Sequence, residues 1–128
     1  MTEAILEHAN ITVSDPAGTA AWLCEVFGWK IRWQGAAING GHTVHVGGTA
    51  SYLALYAPPA ATAEPVDTYS TRGGLNHVAL VVDDLDATEA RVKAAGYTTG
   101  SHADYEPGRR FYFDAEDGVE FEIVSYSS

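Results

Sequence analysis

The sequence predicts an α+β fold built from two βαβββ modules, and three observations predict it. A strand-like phrase that opens on histidine and closes on aspartate occurs twice, as His8-Ala-Asn-Ile-Thr-Val-Ser-Asp15 and as His77-Val-Ala-Leu-Val-Val-Asp-Asp84, at a constant offset of 69 residues. Each phrase leads into a helix signal and then into β-prone runs separated by turn residues. A proline-bearing stretch without periodicity divides the two copies. Two βαβββ copies imply curved sheets facing each other across a cup, with the helices on the outside.

Leu6 to Ser14 alternates, with Ala9, Ile11 and Val13 on one face and His8, Asn10 and Thr12 on the other, which reads as a strand feeding one face to the core. Asp15-Pro16 then supplies a helix N-cap followed by proline at the first helical position. The stripe Trp22, Leu23, Val26 and Phe27 follows, and Gly28 ends it. Residues 29–37, 42–46 and 51–57 are β-prone runs separated by Gly40-Gly41 and Gly47-Gly48, a spacing that suits a meander of hairpins. Residues 58–74 carry three prolines and no periodic pattern, and they read as a connector. The second module repeats the plan with a strand over 75–82, a helix opened by Asp84 or Asp86 and closed by Gly96, and strands near Tyr97, Arg109 and Val119. The expectation is therefore one domain over residues 1–128, made of modules at about 4–57 and 75–126 joined by the connector 58–74. An offset of 68 residues relates Gly28 to Gly96 and lays the hairpin 46–50 over 114–118. The same register pairs Leu53 with Phe121, Ala54 with Glu122 and Leu55 with Ile123.

With 46% hydrophobic and 19% charged residues, a chain of 128 residues can bury a core without staples, and a single cysteine, Cys24, rules out an internal disulfide framework. Seventeen acidic against seven basic residues give a formal charge of −10, which repels a phosphate backbone and argues against nucleic acid as a partner. The acidity reads as a solvated surface that keeps the protein soluble, although it also favours a cationic ligand. No apolar run approaches the roughly 20 residues of a membrane helix. Residues 1–7 carry neither a basic region nor a long apolar stretch, so a cytoplasmic location is expected.

Side chains alternate along a strand, so Phe121 and Ile123 share one face of the last run while Glu120 and Glu122 share the other. By the same parity His77 lies opposite Val78, Leu80 and Val82, and His8 lies opposite Ile11 and Val13. If the apolar faces pack on the helices, His8, His77 and Glu122 point into the cup. Two neutral imidazoles and one carboxylate form a facial set suited to one divalent metal ion per site, whether iron, manganese, zinc, nickel or cobalt, with positions left open for substrate. A buried Glu122 with no cation near it in sequence is costly, and a metal would supply the compensation.

These residues resemble the vicinal oxygen chelate superfamily over nearly the whole chain. The resemblance is carried by His8 to Asp15 ahead of Phe27-Gly28-Trp29, by Leu75-Asn76-His77-Val-Ala-Leu-Val-Val-Asp, and by Phe111-Tyr-Phe-Asp-Ala-Glu-Asp-Gly118-Val-Glu-Phe-Glu122. That superfamily includes glyoxalase I, extradiol dioxygenases, methylmalonyl-CoA epimerase, fosfomycin resistance thiol transferases and bleomycin resistance proteins. The resemblance implies the cup fold and metal positions at His8, His77 and Glu122, and the family's fourth position falls on Ala54. Glyoxalase I has a glutamate there and uses carboxylates flanking the metal to move a proton; Ala54 cannot, which argues against glyoxalase I. Extradiol dioxygenases and fosfomycin thiol transferases keep the three-ligand set. Neither a potassium loop nor the basic residues expected after Glu122 for a phosphonate are evident, and no histidine is clearly placed to assist a dioxygenase. Modules of the superfamily often pair across chains, which implies a homodimer whose cups lie within a chain or are shared between chains.

The function expected is a divalent-metal-dependent enzyme acting on a small molecule with vicinal oxygens, of dioxygenase, lyase, isomerase or transferase type. Bound as a Lewis acid, the metal would chelate two adjacent oxygens and stabilise an oxyanionic intermediate. Alongside Glu122, the candidates for orienting substrate or moving protons are Tyr52, Tyr56, Tyr112 and Glu120. The competing reading is a metal-free protein like those of bleomycin resistance, sequestering a small cationic ligand in an acidic and aromatic groove. Among the remaining residues, His42 and His45 stand three apart on opposite strand faces and read as surface or rim, and His102 reads as exposed. Arg110 and Tyr112 share one face, which either meets the cup, where they would bind an anionic or phenolic substrate, or faces outward. Cys24 reads as a packed thiol, and Trp22, Trp29 and Trp33 as core or interface residues.

Overall fold

The computed structural model describes residues 2–60, 62–105 and 108–127, and the chain separates into two compact units, Met1–Ala63 and Glu64–Ser128. The first unit contains β1 (His8–Thr12), α1 (Pro16–Phe27), β2 (Lys30–Ala36), β3 (His42–Gly47) and β4 (Tyr52–Ala57). The second contains β5 (Val78–Val81), α2 (Leu85–Ala94), β6 (Thr99–Tyr105), β7 (Gly108–Asp114) and β8 (Glu120–Ser125). Each unit is a four-stranded mixed sheet, in the orders β1-β4-β3-β2 and β5-β8-β7-β6. The β1/β4 and β5/β8 pairs are parallel and the others antiparallel. The class is α+β, with the βαβββ plan in each half, as the repeat predicts.

Both helices start where their caps dictate. The Asp15 carboxylate accepts the Gly18 N–H at 3.1 Å. Pro16 opens α1, and Gly28, at φ 70°, closes it in the left-handed region with its N–H on the Cys24 carbonyl. In α2 the Asp84 carboxylate accepts the Ala87 N–H at 3.0 Å, which identifies Asp84 as the cap and leaves Asp86 in the first turn. No helix among the described residues is long and apolar enough to cross a membrane.

One face of each sheet meets its helix. In the first unit Val44 pairs with Leu55 and Val46 with Leu53, and these four are buried with Ala20, Leu23 and Val26 of α1. In the second, Phe111 pairs with Ile123 and Phe113 with Phe121, buried with Leu85, Thr88 and Val92 of α2. The Phe113 and Phe121 rings stack at 5.3 Å. Alternation then places Ala54 and Glu122 on the opposite faces of β4 and β8.

The repeat register departs from the sequence reading at one hairpin. Leu53 and Phe121 are equivalent at offset 68, but their partners Val46 and Phe113 are related by 67. One extra residue in the second hairpin is absorbed by a 3-10 turn at Glu116–Gly118, where Asp117 takes φ 66°. The overlay of 46–50 on 114–118 is corrected accordingly. Strand bounds also shift: β5 begins at Val78, one residue past His77, and Tyr97 precedes β6.

Candidate functional site

In the second unit, the sheet face turned away from α2 gathers His77, Glu120, Glu122, Tyr112 and Arg110. Glu122 is only 7% exposed. Its Oε1 lies 3.1 Å from His77 Nε2, and its Oε2 accepts a hydrogen bond from Arg110 at 2.8 Å. The far edge of the imidazole is also engaged. Tyr69 donates its hydroxyl proton to Glu120 at 2.7 Å, and the same oxygen lies 3.4 Å from His77 Nδ1. The Tyr112 ring meets His77 edge-on at 5.9 Å. Burial and the nearby Glu122 carboxylate push the Tyr112 phenol above its ordinary range, and the Glu120 carboxylate pushes Tyr69 up to about 12. Both phenols are therefore neutral hydrogen-bonding groups at physiological pH.

The Arg110 contact corrects one expectation. Glu122 is not a buried carboxylate without a cation: the guanidinium comes from β7, diagonally across the register that pairs Tyr112 with Glu122. The same contact decides that Arg110 and Tyr112 lie on the Glu122 face. Metal is therefore not required to neutralise Glu122. The spacing of His77 Nε2 and Glu122 Oε1 is nevertheless that of two ligands of one ion, since donors about 2.1 Å from a metal at a right angle stand about 3.0 Å apart. The two atoms fit a divalent metal as a ligand pair. Among the described residues no three His, Cys, Asp or Glu side chains gather as a metal-holding group, so a complete set needs a further donor.

His8 lies in the first unit, on the sheet face turned away from α1. Its Nδ1 is 2.8 Å from Glu7 Oε1, and Tyr52 donates to that same oxygen at 3.2 Å. The hydrogen bonds from His8 and Tyr52 hold Glu7 below the usual carboxylate range. The Tyr52 ring stacks on His8 at 4.8 Å and on His45 at 4.7 Å, Trp33 lies 5.2 Å from His45, and the Arg32 guanidinium sits 4.5 Å above Tyr52. Burial, reinforced by the neighbouring His8 and Arg32, lowers the His45 pKa, so this ring is neutral at physiological pH. Ala54 is 2% exposed and pairs with both Asn10 and His45, so a methyl group stands where the other copy has Glu122.

Of the residues predicted from sequence, His77, Glu122, Glu120 and Tyr112 come together in one cluster, and His8 with Tyr52 in another. Tyr56 is committed elsewhere, donating its hydroxyl to the Ile38 carbonyl at 3.1 Å. Two participants were missed. His45 is a half-buried member of the His8 face rather than a rim residue like the exposed His42, and the signal available was its pairing with Ala54. Tyr69 comes from the connector, where no periodic pattern could mark it. Trp33 is 52% exposed, so within this chain it is not a core residue; Gly35, where a Cβ would stand 3.0 Å from the indole, lets the ring lie along the sheet. His102 is exposed and bound to Glu89 at 2.6 Å, and burial raises the Cys24 pKa, as for a packed thiol.

The family profile described as the Glyoxalase/Bleomycin resistance protein/Dioxygenase superfamily matches residues 5–123. The chain belongs to this superfamily, the vicinal oxygen chelate group. Solved structures agree on the fold. The glyoxylase/bleomycin resistance protein/dioxygenase domain from Frankia sp. EAN1pec superposes with a TM-score of 0.81 at 20% identity, over 98% of this chain and 93% of that one. TnmS3, an antibiotic binding protein from Streptomyces sp. CB03234, gives 0.73 at 21% identity over 98% of each chain. The fosfomycin resistance protein FosX from Listeria monocytogenes, complexed with Mn(II) and sulfate, gives 0.70 at 19% identity over 97% and 93%. No significant match was found among proteins of curated function.

Proposed function

We propose that this member of the superfamily is a divalent-metal-dependent enzyme acting on a small molecule with vicinal oxygens, and that His77, Glu122 and His8 are its metal ligands. His77 and Glu122 belong to the second unit, and His8 comes from the first unit of the same chain or of another copy in a homodimer. The observation that carries this reading is the pair formed by His77 Nε2 and the buried Glu122 Oε1, 3.1 Å apart, two residues at which the resemblance implies metal ligands. A FosX solved with Mn(II) on the same fold supports it. Iron, manganese, zinc, nickel and cobalt all suit such a set.

A metal bound there supplies Lewis acidity toward oxygens of the substrate. The chain's own residues set the rest. Arg110, fixed on Glu122, holds the carboxylate in place and leaves Oε1 toward His77. The neutral Tyr112 phenol lies beside the cluster with its hydroxyl engaged by the Glu122 carboxylate. Ala54 supplies no second carboxylate, which favours dioxygenase, lyase or transferase chemistry over the proton relay of glyoxalase I.

A second reading rests on the aromatic cluster of the half-buried Tyr52 and His45 and the exposed Trp33, which offers stacking surface to a planar ligand. With the net charge of −10 and an antibiotic binding protein among the structural neighbours, it supports sequestration of a cationic small molecule. Turnover separates the two readings. Chelator-treated protein reconstituted with each metal would be assayed on a catechol, an epoxide with a thiol, and a 2-hydroxy ketone. Turnover lost with chelator and restored by one metal is expected; stoichiometric ligand binding that ignores chelator, without turnover, would replace the enzyme reading with sequestration.

A further inference from the structure

The sheet of the second unit carries a cavity beside the His77 and Glu122 pair. On the face turned away from α2, the strand registers set out two rows. In one, Gly100 is level with Tyr112 and Tyr112 with Glu122. In the other, Asp114 is level with Glu120, which the β5/β8 register, pairing Val78 with Phe121, puts level with His77. His77 and Glu122 therefore stand at the β5 and β8 end of the rows. At the β6 end lies a cavity of about 220 Å³, lined by Thr98, Gly100, Ser101, Tyr112, Asp114 and Glu120 among others. Tyr112 and Glu120 belong to both places.

Two features of the sequence shape the cavity. Ser101 and His102 together stand opposite Phe111, because the register passes from Gly100 with Tyr112 to Ala103 with Arg110, and Ser101 takes φ 52° in this bulge of the edge strand. Gly100 leaves its place in the row without a side chain, and a Cβ there would meet nothing within 4 Å. The charge of the lining has one sign: Asp114 and Glu120 contribute carboxylates, and no basic side chain lines the cavity. Glu120 accepts from Tyr69 through Oε2, and Asp114 forms no ion pair among the described residues. A positive group entering here meets two carboxylates without displacing a lysine or arginine. Neighbouring strands are about 4.8 Å apart, so Gly100 lies about 10 Å from Glu122 along its row. That is the span of a ring held by two adjacent oxygens together with a short aliphatic tail.

We propose that the cavity receives an ammonium-bearing tail of the substrate, and that Gly100 is the specificity-determining residue that keeps it open. The substrate class is then a small molecule with vicinal oxygens at one end and a primary ammonium group at the other. The oxygen end rests on the metal-dependent reading given above, whereas the tail end stands on the cavity and its carboxylates.

The test uses three probes that share one pair of ring oxygens and differ in the tail: dopamine, catechol and 3,4-dihydroxyphenylacetate, with a positive tail, none and a negative one. Calorimetric titration of zinc-loaded protein is expected to rank them in that order, dopamine binding about tenfold tighter than the acid. Gly100→Val fills the cavity and Asp114→Asn removes a charge; each is expected to bring dopamine to the affinity of catechol, with catechol binding, zinc content and the urea midpoint unchanged. Equal affinities in the zinc-loaded wild type, or a preference for dopamine that survives Gly100→Val, would overturn the proposal. A second measurement follows the Gly100 and Ser101 amide signals of 15N-labelled protein freed of metal and chelator. Shifts with dopamine and not with the acid, in a wild type that binds no zinc, would uphold the tail pocket and remove the metal reading. Neither zinc nor shifts would overturn both.

Discussion

At the scale of single residues, the chemistry of the second unit turns on which groups hold Glu122 and His77 in place. The buried carboxylate divides its oxygens between a guanidinium and an imidazole, and the imidazole is held from behind by a phenol bonded to a second carboxylate. Because the Glu120 carboxylate raises Tyr69, the contribution of that hydrogen bond is complete below the ordinary tyrosine value and is lost as pH rises through about 12. A titration of 13C-labelled tyrosine should therefore find Tyr69 still protonated where an ordinary phenol has ionised, and Glu120→Gln should bring it down. A Tyr69 that titrates near 10 in the wild type would contradict the contact. Packing makes its own prediction: Phe111 is fully buried against Ile123, and Phe111→Ala should cost about 3–5 kcal/mol in urea denaturation, against much less for the exposed Tyr126→Ala.

At the scale of elements, the helices are specified by their ends. Asp15→Ala and Asp84→Ala each remove the acceptor for a first-turn N–H and should each lower stability by about 1 kcal/mol, measured as a fall in the urea midpoint at constant slope. Gly47→Ala should cost more than either, because a Cβ there would stand 2.4 Å from the Ser51 carbonyl oxygen and 2.5 Å from Tyr52 Cα, both backbone atoms. The ends of the first helix were legible in the sequence, since Asp15-Pro16 and Gly28 announce themselves locally, whereas the cap of the second was narrowed only to Asp84 or Asp86. The alternation that turns Phe121 and Ile123 inward and Glu122 to the other face was legible too, because period two needs no tertiary knowledge. What escaped is non-local or aperiodic. Arg110 reaches Glu122 by a diagonal between strands, Arg32 reaches the Tyr52 ring at a register shift between Ile31 and Trp33, and Tyr69 sits in a segment whose order comes from the Asp67 turn. The extra residue in the turn at Glu116–Gly118 shifted the overlay of the two copies by one, since a turn absorbs an insertion without disturbing the hydrophobic pattern of its strands.

At the scale of the whole molecule, the two copies have diverged in complementary directions. The second keeps an imidazole beside a buried carboxylate, whereas the first has Ala54 at the equivalent position and stacks Tyr52 between His8 and His45, with Arg32 over Tyr52 and Trp33 against His45. If the ligand set is shared between chains, a hetero-oligomer of His8→Ala and Glu122→Ala chains should regain metal sites that neither variant has alone; a set held within one chain would regain none. The most direct measurement of the central claim is the metal content per chain of wild-type protein beside Glu122→Ala and His77→Ala, after reconstitution with iron, manganese, zinc, nickel and cobalt in turn. Near one ion per wild-type chain, lost in both variants, is the predicted result, and a wild-type protein that retains none of the five would contradict it.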